Sequence, residues 1–310
     1  MAELARINIY DQIDSNRRKT FFFILGFVLF IVLLGWIIGL ALNEPYLFPA
    51  IAFLIAAVSA VTSYYYSDKM VLGLSGAKEI KKQDDPDLYN LVDNLCIGAG
   101  LPQPKIFIIN DSAPNAFATG RDPQHAVVAV TTGLLDKLNK RELSGVIAHE
   151  LTHVGNYDIR LMTIVAILAG TVVLMSDLFL RWTWFGGRGR SRSDSRGGGQ
   201  AQLILFIVAV ALAVLSPLVA QVIKLAISRK REFLADAGGA MITRDPEGLA
   251  LALEKLTADK EPLEVANKAT AHMYIINPLK EYEGTSRGWF AGMFMTHPPI
   301  EERLAKLRAM

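Results

Sequence analysis

One cysteine in 310 residues, Cys96, excludes an internal disulfide and any zinc site built on four cysteines or on two cysteines and two histidines. Its apolar neighbours mark it as a buried core thiol. Charge is scarce as well. Only 20% of residues are charged against 52% hydrophobic, and the mean hydropathy is +0.30, which points to a membrane protein. The formal net charge of +2 implies no nucleic-acid or polyanion partner. No small-residue cleavage site follows the first apolar run, so that run reads as an anchor and not as a removed signal peptide. Histidine is sparse, five in all, yet two of the five stand four residues apart.

Those two belong to His149-Glu150-Leu151-Thr152-His153. On a helix, residues four apart lie one above the other, so both imidazoles project from one face. That geometry suits a tetrahedral Zn²⁺, with room for a third protein ligand and a water. Glu150, one step round, can reach that water without binding the metal and so serve as general base. The competing reading is an amphipathic helix with two surface histidines. The segment is expected to be helical: Asn139 and Glu142 have the spacing of a capping box, and Leu143, Val146, Ile147 and Leu151 recur at helical spacing. Gly155 and Asn156 are placed to end it.

Along the chain, Thr20 to Leu42 carries no charge, long enough to cross about 30 Å of hydrocarbon as a helix. Tyr46 to Ser67 is a second uncharged run, and its Tyr64-Tyr65-Tyr66 suits an interfacial aromatic belt. Residues 68–160 are soluble in character, with a helix over 87–98, strands at 105–109, 116–119 and 126–130, and turn-forming segments between them. Third and fourth apolar runs span 161–180 and 202–223, around a Gly-, Ser- and Arg-rich loop at 181–200. They read either as a second membrane hairpin or as buried core helices. Asp177 in the third run can pair with Arg181 four residues on, and Pro217 is expected to kink the fourth. Residues 245–257 and 299–309 read as amphipathic helices.

The third ligand is sought after the fourth run, where Glu232 and Asp236 share a helix face. Glu232 can complete a His₂Glu set, and Asp236 can accept the second N–H of a ligand histidine. The bland alternative is an exposed acidic pair balancing Arg229-Lys230-Arg231. Two points favour the metal. An even number of spans separates His149 from Glu232, which keeps both on one side of the membrane. His153 also precedes the third run by 8 residues while Glu232 follows the fourth by 9, so an antiparallel hairpin holds them at matching heights. Asp158, five residues after His153, is a further partner for a ligand histidine or a helix-end residue.

Taken together, His149-Glu-Leu-Thr-His153, Arg231-Glu232-Phe-Leu-Ala-Asp236, Asn115-Ala-Phe-Ala-Thr-Gly120 and Thr296-His297-Pro298-Pro299 resemble the HtpX-type membrane zinc endopeptidases, relatives of the type I CAAX prenyl proteases. The resemblance runs over essentially the whole chain. It implies an α+β fold: a mainly helical integral membrane protein with a zincin-like metalloprotease domain carrying a small β-sheet. It further implies one Zn²⁺ per chain and protein or peptide substrates, membrane proteins among them, in quality control under stress. The active site would face the cytoplasm from the inner membrane. Asn115, Ala116, Phe117 and Ala118 resemble the substrate-facing edge segment, where a peptide can add as a further strand. Without the resemblance, the residues alone favour an ordinary edge strand. His297 resembles a residue able to donate to the tetrahedral oxyanion, or it caps the last helix.

The expected organisation is an N-terminal two-span region at 1–67, the first part of the protease domain at 68–160, a second hairpin at 161–223 and the second part of the protease domain at 224–310. The lipid bilayer and protein substrates are the expected partners. A prenyl-protein protease is the alternative within the same chemistry, and a scaffold or transporter with a structural metal is the alternative outside it. His125 and His272 have no partner spacing, and no chemistry is assigned to them.

Overall fold

The computed structural model describes residues 9–41, 43–168, 229–259, 261–263, 273–276 and 298–310. The loop 181–200, Asp177, Pro217, His272, His297, the third apolar run from 169 on and the whole of the fourth lie outside the described residues.

Helices α1 (Ile9–Ala41) and α2 (Leu47–Leu74) form an antiparallel hairpin. Both are long and apolar enough to cross a membrane. Within the apolar windows only 17% and 22% of residues are buried, and Phe22, Leu29, Leu33, Leu54 and Val58 stand exposed. A soluble core helix would bury such side chains; here they form the surface a bilayer would cover. The contact between the helices is built from small side chains. A Cβ on Gly35 would stand 2.9 Å from the Phe48 carbonyl oxygen, and Ala52, Ala56 and Ala60 are buried along the seam. α2 runs one turn and more past the expected end of the apolar run, through Asp68 and Lys69, and joins the soluble part.

That part is a four-stranded sheet with helices on it. Strands β1 (Lys78–Ile80), β2 (Lys105–Ile109), β3 (Ala116–Gly120) and β4 (Ala126–Thr131) lie in the order β1-β2-β4-β3. β2 is parallel to β4, and the β1–β2 and β3–β4 pairs are antiparallel. β1, three residues long and mostly exposed, has too little hydrophobic pattern to be read from sequence. β4 is buried along its whole length because both faces are covered. Val128 and Val130 enter a core shared with α3 (Pro86–Ala99), α5 (Lys140–Gly155) and α8 (Pro246–Ala258). Val127 and Ala129 enter a second core with Phe117, Tyr274 and the end of α2.

Local signals set the helix ends. Asp85 caps α3 by accepting from Leu88 N–H, and Gly100 closes it at φ +67°. Thr131 caps the short α4 (Thr132–Lys137). Asn139 and Glu142 make the expected capping box on α5. Helix α6 follows from 158 and is described to 168. Helices α7 (Arg229–Thr243) and α9 (Ile300–Leu307) complete the described fold. Cys96 is buried, and burial pushes its thiol up to about 11, which leaves it inert.

Candidate metal centre

Helix α5 lies in the middle of the soluble part and carries His149, Glu150 and His153, all buried. It crosses α7 closely enough to bring Glu232 to the same point. Glycines in α7 permit that approach: a Cβ on Gly239 would stand 3.0 Å from the His149 backbone nitrogen, and one on Gly238 would overlap Thr152. Gly239→Leu is therefore expected to push α7 off α5 and lower zinc affinity at least tenfold, read by competition with a chromogenic chelator.

The Nε2 atoms of His149 and His153 face each other at 3.3 Å. Glu232 Oε1 is 3.6 Å from His153 Nε2, and Glu232 Oε2 is 3.9 Å from His149 Nε2. One ligand atom from each of the three residues lies within 4.8 Å of the others. A tetrahedral zinc with bonds of about 2.0–2.1 Å needs donors about 3.3–3.4 Å apart, so the histidine pair already has the spacing and the Glu232 carboxylate lies beside both rings.

Behind each histidine stands a carboxylate, and behind each carboxylate an arginine. His153 Nδ1 is 3.1 Å from Asp158 Oδ2, which leaves Nε2 free toward the cluster. Asp158 Oδ1 accepts from Arg231 Nη1 at 3.2 Å. His149 Nδ1 is 2.9 Å from Asp236 Oδ1, near enough for a hydrogen bond but with its N–H poorly aligned. Arg303 clasps Asp236 with two parallel bonds, Nε to Oδ2 at 2.9 Å and Nη2 to Oδ1 at 2.6 Å. Burial pushes the Asp236 carboxyl up, but the Arg303 charge, the close His149 ring and the Arg303 hydrogen bonds outweigh it and hold the group at about 2.

Among the described residues, the buried acids Glu150, Glu232, Asp158 and Asp236 outnumber the buried guanidiniums of Arg231 and Arg303, a setting that favours a cation. Two groups register the field. His153 is raised to about 9: burial opposes its charging, and Asp158, Glu232 and Glu150 together overcome that. Glu150 is raised, first by burial and further by Glu232, although both histidines and the Ala118 backbone N–H work against it. A divalent ion between the rings would meet the same demand, so the donor set fits zinc in geometry, chemistry and charge.

Asn115 immediately precedes β3, and Ala116, Phe117 and Ala118 lie on it, at the edge of the sheet, whose N-terminal end is met by residues 275 and 276. The Ala116 carbonyl accepts from Ile275 N–H at 3.0 Å, and the Asn115 side chain donates to the Ile276 carbonyl at 3.1 Å. All four residues are buried. Ala118 is the one beside Glu150. His125 pairs with Asp122 at 2.6 Å, away from the cluster. Sequence reasoning assigned no role to Arg303, and saw Arg231 as part of a basic run and of the Arg231–Asp236 motif without giving it a partner. The signal for Arg303 was present: it shares the apolar stripe of α9 with Leu307 four residues on, where an unpaired charge would not be tolerated.

Comparison with known proteins agrees with this site. Residues 82–310 match the model of Peptidase family M48. Relatives named Protease HtpX homolog include one from Dictyoglomus turgidum, 45% identical over 303 residues, covering 97% of this chain and 94% of the relative. Others are from Thermoanaerobacter pseudethanolicus, 41% identical with 99% of each chain covered, and Streptococcus gordonii, 39% identical with 97% and 100% covered. Among solved structures, Ste24p of S. mikatae shares the fold at a TM-score of 0.51 and 19% identity, over 99% of this chain and 67% of that one. A family match over residues 82–310, together with relatives this similar over nearly their full length, shows that the chain belongs to peptidase family M48.

Proposed function

We propose that this metalloprotease is a membrane-embedded zinc endopeptidase in which His149, His153 and Glu232 hold one Zn²⁺ and Glu150 is the general base. The observation that carries this reading is the convergence of three buried donors within 4.8 Å of one another, with a fourth acid beside them and not among them. A structural zinc site is usually closed by four protein ligands, and three plus a neighbouring carboxylate is the hydrolytic pattern. Zinc, when bound, would lower the pKa of its water to about 7 and polarise the scissile carbonyl. Glu150, beside the donor set, would take a proton from the attacking water and return it to the leaving amine. Asp158 and Asp236 fix the histidine tautomers so that each ring offers Nε2. The Ala118 N–H holds the Glu150 carboxylate at the sheet edge, where the backbone of a peptide substrate would lie. His297 remains the candidate oxyanion donor.

The substrates we propose are membrane or misfolded proteins, in quality control under stress, since the site stands on a hairpin whose outer face is built for lipid. The test is elemental analysis and casein hydrolysis by the full-length protein in detergent. One zinc per chain with hydrolysis lost to chelator and restored by zinc is expected; bound zinc without hydrolysis would return the site to a structural role. Arg17, Arg18 and Lys19 before the first span favour a cytoplasmic N-terminus, and the orientation we propose puts the zinc site and C-terminus on the same side. The proposed organisation is a protease domain in two parts, 68–160 and 224–310, interrupted by a second hairpin. On a Cys96→Ser background, Met241→Cys, which is exposed, is expected to resist an impermeant thiol reagent in intact cells, and Ser193→Cys to react. A labelled Met241→Cys would overturn the orientation, and an unlabelled Ser193→Cys would overturn the full crossing of residues 161–223.

A further inference from the structure

Asn16 belongs to the first apolar helix, far in sequence from the cluster, and yet it is 1% exposed. Its amide is fully used. Nδ2 donates to the Asn156 carbonyl at 3.0 Å and to Asp158 Oδ1 at 2.8 Å, and Oδ1 accepts from Arg231 Nη1 at 3.2 Å. The orientation of the amide is forced, because the reverse would set its oxygen against two acceptors and its NH₂ against a guanidinium. Each partner belongs to a different part of the metal centre. Asn156 is the C-cap of the helix carrying both histidines, Asp158 backs His153, and Arg231 adjoins Glu232.

The turn that Asn16 grips needs an outside hold. Tyr157, between Asn156 and Asp158, sits at φ +60°, a left-handed conformation costly for a tyrosine. Arg17 and Arg160 stack on its ring, each with the guanidinium carbon 5.0 Å from the ring centroid. Neighbouring residues Asn16 and Arg17 therefore clasp the 156–158 turn from the membrane helix, one through the backbone and Asp158, the other through the ring. Lys19, also in α1, adds a charge interaction with Asp158.

We infer that Asn16 is a positioning residue of the zinc site, acting through Asp158 on His153, so that the first membrane helix is a working part of the catalytic centre as well as an anchor. The inference rests on the zinc reading above. An outer partner of a metal ligand typically alters metal affinity 10–100-fold.

The experiment measures zinc release to excess chelator, and separately kcat and KM, in the full-length protein. Thr20, one turn on, is buried with Oγ1 unpartnered among the described residues, so Thr20→Val is the matched control for disturbing buried polarity in the same helix. Asn16→Ala is expected to release zinc at least tenfold faster and to lower kcat more than it raises KM, with Thr20→Val unchanged. On an Asp158→Asn background, Asn16→Ala is expected to add little, because the route is already cut. Equal release from Asn16→Ala and Thr20→Val, or full additivity with Asp158→Asn, would overturn the inference. If Asn16→Ala does not fold, Asn16→Asp takes its place: it keeps the acceptor for Arg231 and removes the donor to Asp158, and zinc retention like the wild type would sink the inference. Failure of the zinc reading itself is distinct, since the wild type would then bind no zinc.

Discussion

Glu150→Gln is expected to keep one zinc per chain and to lose about 10²–10⁴-fold in kcat/KM on casein, whereas His149→Ala, His153→Ala and Glu232→Ala lose both metal and activity. Glutamine has the shape of glutamate and still accepts from the Ala118 N–H, so the fold around it need not move. It cannot take a proton, and that is the one role Glu150 has in this reading. Ala at the other three positions removes a donor from a set of three in a buried, negatively charged cavity. Zinc content and kcat/KM on the purified variants decide the matter. A Glu232→Ala protein that binds zinc as tightly as the wild type would remove Glu232 from the ligand set, and a Glu150→Gln protein of normal activity would remove Glu150 from the base role.

The second large effect is expected at Arg303→Met. Arg303 and Asp236 are each 1% exposed and are joined by two hydrogen bonds. The pair as a whole contributes modestly to stability, because burying two charges offsets most of their attraction. Removing one partner is a different matter: it leaves Asp236 charged, buried and unmatched by its guanidinium, which costs about 3–5 kcal/mol. Arg303→Lys is expected to recover only part of this, since a point charge cannot reproduce the bidentate fork. Asp236→Asn combined with Arg303→Met is expected to be milder than Arg303→Met alone. Denaturant midpoints in one detergent provide the comparison, and an Arg303→Met midpoint equal to that of the wild type would refute it. Arg303 also donates to the Ile275 carbonyl at 3.4 Å, so its loss is expected to loosen the segment lying on β3 as well.

Much of this molecule is written in short-range patterns. Two uncharged runs became α1 and α2, Asn139 and Glu142 capped the helix that carries the histidines, and alternating or continuous apolar residues became β2, β3 and β4. The metal set was legible for the same reason. The i, i+4 spacing of His149 and His153 is a local fact, and Glu232 could be reached by counting residues from the ends of the apolar runs. What could not be read was how the edge of β3 is used. Whether an edge strand is open depends on what else reaches it, and here residues 275 and 276 do.

By itself, then, the sequence determined the elements, the two long apolar helices and the spacing of His149, Glu150 and His153, because periodicity, capping and charge scarcity act within a few residues; Glu232 it offered as a candidate, which the fold brings beside the histidines. Only the tertiary structure decided which charges are buried and which residues neutralise them. Arg303 meets Asp236 across 67 residues, Arg231 meets Asp158 across 73, and Asn16 meets Asp158 across 142. At such separations no spacing rule operates: a guanidinium or an amide looks like ordinary surface polarity until folding removes the water around it, and the loss of that water makes its partner obligatory.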